Sequence, residues 1–150
     1  MIDPFGREVS YLRVSVTDRC DFRCIYCMSE DMTFLPKAEV LTLEELADMC
    51  DAFVDRGVRK LRFTGGEPLV RSQLHKLIAM LAQIEGIEDL TVTTNGYLLP
   101  QKAQALRDAG LHRVTISLDS LDDNVFKAMN GRGFGTDKVL DGLEAAERAG

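Results

Sequence analysis

The run Tyr11-Leu12-Arg13-Val14-Ser15-Val16-Thr17-Asp18-Arg19-Cys20-Asp21-Phe22-Arg23-Cys24-Ile25-Tyr26-Cys27 carries the pattern that decides the fold. In its first part Leu12, Val14 and Val16 fall on one side and Arg13, Ser15 and Thr17 on the other. A period of two marks a strand with one apolar face. Directly past that strand, three of the chain's four cysteines crowd together as Cys20-x3-Cys24-x2-Cys27. Cysteines this close cannot staple distant elements; in a reducing compartment such a cluster binds metal or does redox chemistry.

Working outward, the alternation returns in three further segments, expected as strands over about 58–64, 90–94 and 113–118. Leu61 and Phe63 oppose Lys60, Arg62 and Thr64; Leu90 and Val92 oppose Thr91, Thr93 and Asn95; Val114, Ile116 and Leu118 oppose Thr115, Ser117 and Asp119. Helical signal follows each strand. Thr42-Leu43-Glu44-Glu45 is a capping box opening a helix whose stripe is Leu43, Leu46, Ala47, Cys50, Phe53 and Val54, stopped at Gly57. Further helices are expected around Leu74, Leu77, Ile78 and Leu81, then over about 99–109, 124–129 and 136–148. Strand and helix in turn at this spacing imply βαβ units and a parallel sheet. A parallel strand buried on both faces reads as one apolar run. These strands keep a polar face, so their apolar faces pack on helices and their polar faces share a wide, wet space. An α/β barrel or arc around a large polar ligand fits that pattern better than a closed barrel filled with branched side chains.

The 150 residues, 45% hydrophobic and 28% charged, suit one ordinary globular domain. A net charge of −6 argues against a nucleic-acid partner. No apolar run reaches the roughly 18 residues of a membrane span, and no signal peptide opens the chain, so the expected location is the cytoplasm.

Three thiolates on one loop are soft ligands for iron–sulfur or zinc. Structural zinc takes four protein ligands, and neither His75 nor His112 has the spacing to complete such a site. Cys50 lies on an apolar stripe and reads as a small core hydrophobe. Three cysteines on a four-iron cube leave one iron open to a cofactor or substrate, which suits catalysis better than electron storage. Thr64-Gly65-Gly66-Glu67-Pro68, Thr93-Thr94-Asn95-Gly96 and Ser117-Leu118-Asp119 then end the other three strands. Ligand sites in α/β sheets collect at those carboxyl ends. Each segment alone reads as a turn or a strand residue; together they read as a ligand site. Arg13 and Arg62 on the polar face suit phosphate, whose oxygens match the guanidinium fork. The competing reading for both is a solvated or salt-bridged strand edge. Arg23, Arg71 and Arg132 read as surface charges.

The cysteine spacing, with Tyr26 before the last cysteine, resembles the signature of the radical S-adenosylmethionine (SAM) superfamily, and Gly65-Gly66-Glu67-Pro68 resembles its GGEP segment. The stretch 16–28, with Phe34-Leu35-Pro36-Lys37 and Met129-Asn130-Gly131-Arg132-Gly133, is similar to the GTP 3′,8-cyclase family of molybdenum cofactor (molybdopterin) biosynthesis. The resemblance implies a partial (βα) barrel of the radical SAM type, about four βα units of a six-unit barrel. It implies a [4Fe-4S] cluster on Cys20, Cys24 and Cys27, with the GGEP segment meeting the methionine amino group of SAM. SAM contacts fall to Tyr26, Gly66 and Ser117, and GTP contacts to Arg13, Arg62 and Thr93. The implied chemistry is reductive splitting of SAM, hydrogen abstraction from C3′ of GTP by the 5′-deoxyadenosyl radical, and closure onto C8. The product is (8S)-3′,8-cyclo-7,8-dihydroguanosine 5′-triphosphate.

The same resemblance implies a cytoplasmic lyase that is reduced by flavodoxin or ferredoxin and forms a homodimer. It also implies a downstream cyclic pyranopterin monophosphate synthase. The family's chains are longer, with a second [4Fe-4S] cluster in their C-terminal part. Residues 1–150 are therefore expected to be the N-terminal part of the core domain, unable alone to complete the cyclisation. Two other readings remain open. One is a related radical SAM enzyme that modifies peptides or porphyrins. The other is a non-catalytic iron–sulfur or zinc binding module, in which the GGEP segment would have no task.

Overall fold

A computed structural model describes residues 2–150. The elements in chain order are β1 (Tyr11–Ser15), α1 (Leu43–Val54), β2 (Lys60–Thr64), α2 (Leu74–Leu81), β3 (Asp89–Thr94), α3 (Leu99–Asp108), β4 (Arg113–Ile116), α4 (Asp123–Asn130) and α5 (Thr136–Ala149). The strands form one parallel sheet in the order β1-β2-β3-β4, so each βα unit lies beside the one before it. This is the α/β, partial-barrel architecture that the alternating strands call for.

Register explains the division of the two faces. Val14, Phe63, Val92 and Val114 line up as one row across all four strands, and Arg13, Arg62, Thr91 and Arg113 as the neighbouring row. The first row belongs to the core with Leu46, Cys50, Leu77, Ile78, Leu81, Leu99 and Leu106 from the helices. Contacts of α1 with α2, α2 with α3 and α3 with α5 place these helices side by side in one layer. The opposite face carries the polar row. It is not wet throughout, because Thr91 is only 1% exposed.

The capping box at α1 is complete: the Thr42 hydroxyl accepts from Glu45 N at 3.1 Å, and Thr42 N donates to Glu45 Oε2 at 2.8 Å. Three of the strands, β1, β2 and β4, are shorter than the sequence suggests, while β3 starts one residue earlier, at Asp89. β2 starts at Lys60 rather than near Val58, because Val58 N is taken by the Phe53 carbonyl as α1 unwinds through Gly57 at φ 99°. At the other end, the Thr17 carbonyl leaves the ladder to accept from Gly66 N, so β1 gives way to loop after Ser15.

Candidate active site

The loop that carries the cysteines is fastened to its surroundings at three places. Its root is stitched to the turn after β2, where Gly66 N donates to the Thr17 carbonyl and Glu67 N to the Arg19 carbonyl, each at 2.8 Å. A Cβ on Gly65 would sit 2.4 Å from the Thr17 oxygen, and one on Gly66 only 2.3 Å from the Arg19 oxygen. These glycines are needed so that two segments of the chain's own backbone can touch.

Glu67 fastens the second place. It is 2% exposed. Its Oε1 accepts from Leu69 N (2.9 Å) and the Thr94 hydroxyl (2.7 Å), and its Oε2 from Asn95 N (2.8 Å). The carboxylate thereby ties the ends of β2 and β3 together, while burial pushes its pKa above the ordinary value. Asn95 carries the tie onward, donating from Nδ2 to Asp21 Oδ1 at 2.8 Å, inside the cysteine loop. The second oxygen of Asp21 is buried with no hydrogen-bond partner.

The third place is the end of α4. Arg23 N donates to the Asn130 carbonyl at 2.9 Å and Ile25 N to the Met129 carbonyl at 3.0 Å. Asn130 is fully buried. Its Nδ2 donates to the Phe126 and Phe134 carbonyls, and its Oδ1 accepts from Arg132 N and Phe134 N. Gly131 follows at φ 63°, where a Cβ would lie 2.2 Å from the Arg23 oxygen. Phe22 plugs the loop into a small aromatic core, with ring centroids 6.2 Å from Tyr97, 6.2 Å from Phe126 and 5.3 Å from Phe134. Cys20 and Cys24 pack against this core.

All four cysteines are free; Cys20 and Cys24 are half-buried, Cys27 exposed and Cys50 buried within α1. Cys27 N and Met28 N both donate to the Cys24 carbonyl, at 2.9 and 3.3 Å, which curls the last two cysteines around one turn. Burial pushes the Cys20 thiol up to about 11, and the neighbouring Asp21 and Glu67 carboxylates add to the effect. Burial likewise raises Cys24. Thiols in such surroundings hold their protons until a cationic centre draws them off. Soft donors, no disulfide, one exposed thiol and an apolar backing fit an iron–sulfur cube. Held by these three thiolates, such a cube would keep one iron open.

Tyr26 reaches from this loop to the end of β4, where its hydroxyl donates within 2.9 Å of both Asp119 oxygens. Its phenol is raised, first by desolvation and then by that carboxylate. Ser117 is exposed just past β4. Among the proposed substrate groups, Arg13 is exposed and stands beside half-buried Arg62 in the β1–β2 register. Arg62 Nη1 donates to the Thr93 hydroxyl at 3.4 Å, its guanidinium lies 5.9 Å from the Tyr11 ring centroid, and its Nε is buried without a partner. The structure thus brings Arg13, Arg62 and Thr93 into one patch, and among the described residues neither arginine forms an ion pair. The salt-bridged strand-edge reading of the two arginines is therefore set aside among the described residues.

Arg23 is a correction. It is no surface charge, because its Nη1 donates to the Cys20 and Phe22 carbonyls at 2.8 and 2.7 Å. Arg71 caps the Leu41 carbonyl, and Arg132 pairs with Glu30. Asn130, Phe22 and Asp21 stand inside quoted motifs, but the sequence reading assigns them no role. Their local signal is those motifs alone, since the partners lie far apart in the chain.

A parallel sheet with a three-cysteine loop past β1 and the GGEP turn past β2 defines a class, and the profile of the radical SAM superfamily matches residues 14–150. The chain belongs to the radical SAM superfamily, which brings with it a [4Fe-4S] cluster and SAM. Among curated relatives it is 56% identical to "GTP 3′,8-cyclase" of Rhizobium etli over 152 residues, 100% of this chain and 43% of the relative. It is equally 56% identical over 153 residues to the protein of that name from Bradyrhizobium diazoefficiens, covering 100% of this chain and 44% of the relative. The chain therefore spans less than half the length of the curated relatives it matches.

Solved structures share the fold. Methylornithine synthase superposes with a TM-score of 0.75 at 15% identity, covering 93% of this chain and 42% of that one. Streptococcus suis SuiB, bound to its precursor peptide SuiA, also gives 0.75, at 19% identity over 94% of this chain and 31% of that one.

Proposed function

We propose that this chain is the front part of a cytoplasmic GTP 3′,8-cyclase, acting in molybdenum cofactor biosynthesis. One observation carries the reading. Arg13, Arg62 and Thr93 form an unneutralised cationic patch on the same polar sheet face that ends in the three-cysteine loop. A triphosphate meets there a guanidinium fork that lacks a carboxylate partner.

In this reading Cys20, Cys24 and Cys27 hold the cluster, and Tyr26, Gly66 and Ser117 border SAM. When bound, the cluster supplies the electron that breaks the sulfonium bond of SAM. The chain's own residues do the rest by placement. The Gly66 and Glu67 amides fix the loop's root, Asn130 fixes its far side, and the aromatic core behind Cys20 and Cys24 keeps water from that flank. Arg62, steadied by Tyr11 and Thr93, holds the triphosphate so that the ribose faces the cofactor. Flavodoxin or ferredoxin as reductant, a homodimer, and a cyclic pyranopterin monophosphate synthase acting on the product belong to the same proposal. So does a C-terminal part with a second cluster.

The test is electron paramagnetic resonance of the anaerobically reconstituted, dithionite-reduced chain, with SAM and then GTP added. A cluster signal that shifts with SAM, together with GTP protection of Arg13 and Arg62 from dicarbonyl modification, supports the proposal. A SAM shift without GTP protection points to a radical enzyme for another substrate. Zinc in place of iron sinks the radical reading.

A further inference from the structure

Phe34-Leu35-Pro36-Lys37 has no task in the reaction described above, yet it returns to the cysteine loop after running out past Cys27. Two adjacent residues of this strap are fastened around Cys20. Leu35 N donates to Asp18 Oδ2 at 2.6 Å, and the Leu35 carbonyl accepts from Arg19 Nη2 at 3.3 Å. The Phe34 ring meets two guanidiniums, with the central carbon of Arg19 5.5 Å and that of Arg23 5.4 Å from its centroid. Arg23 in turn grips the Cys20 carbonyl. The strap therefore touches the residues on both sides of Cys20, and Phe34 is the hydrophobic group that two cations share. Without the negative face of the ring, Arg19 and Arg23 face each other with less to hold them there.

We infer that Phe34 is a positioning residue for the first cysteine: the strap clamps the Cys20 arm of the loop in the conformation that presents its thiol. The inference rests on the reading of Cys20 as a cluster ligand. Phe34 acts through Arg19 and Arg23, whose guanidiniums its ring meets.

The experiment starts with the cluster-free, reduced chain, so that it does not depend on cluster loading. Iodoacetamide labelling is followed at each cysteine by mass spectrometry, and the rate at Cys20 is divided by that at exposed Cys27. Phe34→Ala raises this ratio about five-fold or more, the size expected from two lost cation–π contacts. Phe34→Tyr, which keeps the ring, stays within about two-fold of the wild type. Asp18→Ala, which removes the acceptor of Leu35 N, raises the ratio as Phe34→Ala does and substitutes for it if that variant does not fold. An unchanged ratio in the alanine variants overturns the inference. So does a rise shared by Phe34→Tyr, or one matched at buried Cys50, which reports general loosening. Reconstitution then separates the two readings. A wild-type chain that takes up no iron refutes Cys20 as a cluster ligand, whatever the labelling shows. Faster release of iron to a ferrous chelator from Phe34→Ala than from the wild type completes the case for the clamp.

Discussion

Single atoms decide several features of this site. The Arg19 carbonyl that a Cβ on Gly66 would strike is backbone and cannot rotate away. Gly66→Ala is expected to cost about 3 kcal/mol, the upper range for overpacking, and to lower the urea midpoint while leaving the m-value unchanged. Asp89 is a milder case. Arg113 pairs with it and holds its carboxyl below the ordinary 3.8. A depressed carboxylate contributes stability above its unfolded pKa and loses it as pH falls through the folded value. Asp89→Asn should therefore cost at most about 1 kcal/mol near neutrality, because Arg113 is mostly solvated. The difference from wild type should vanish in melts carried below the folded value. At this scale the sequence was informative for residues whose signal is local. The cysteine spacing and Cys50 on its stripe needed only their own neighbours. Arg23 was misread because its partners are carbonyls, which leave no trace in side-chain spelling.

Among the elements, α4 has the least obvious task. Its residues look like an ordinary short helix, and Asp122 caps it through Asn124 N and Val125 N. Its use lies at the other end, where the Asn130 and Met129 carbonyls receive the cysteine loop. Asn130→Ala would leave two carbonyls, that of Phe126 buried and that of Phe134 half-buried, and two amides without their partner, a loss of about 2–4 kcal/mol. Hydrogen exchange offers the sharper readout. Protection of the Arg23 and Ile25 amides should fall more than that of the β2 amides, and equal losses would mean that α4 docks the loop no more than it supports the whole domain. The helices themselves were legible because a capping box, an apolar stripe and a stopping glycine are contiguous in sequence. Strand ends were not. Where β1 and β2 stop depends on which distant carbonyl captures the next amide, as Phe53 does for Val58.

Over the whole molecule, the alternation of apolar and polar residues becomes a surface only when four strands align. Arg13, Arg62, Thr91 and Arg113 share one row, though they come from separate segments. Arg62→Ala should weaken GTP binding by about ten-fold or more, the loss of one or two charge-assisted hydrogen bonds, measured by calorimetry. It should leave the SAM-dependent change in the cluster spectrum intact; loss of both would assign Arg62 to the fold rather than to the nucleotide. The patch was readable from strand periodicity, but the Tyr11 contact and the bare Nε of Arg62 required the register. The ordering of the sheet also has a temporal side. Each strand pairs with the one made just before it, so the sheet can grow as the chain leaves the ribosome. The cysteine loop is different, for the Tyr26–Asp119 contact joins residues 93 positions apart. At roughly 5 to 20 residues per second, the far half of its enclosure is missing for on the order of 5 to 20 s after the last thiol is made. During that interval the nascent chain offers its three thiols before the loop is closed around them.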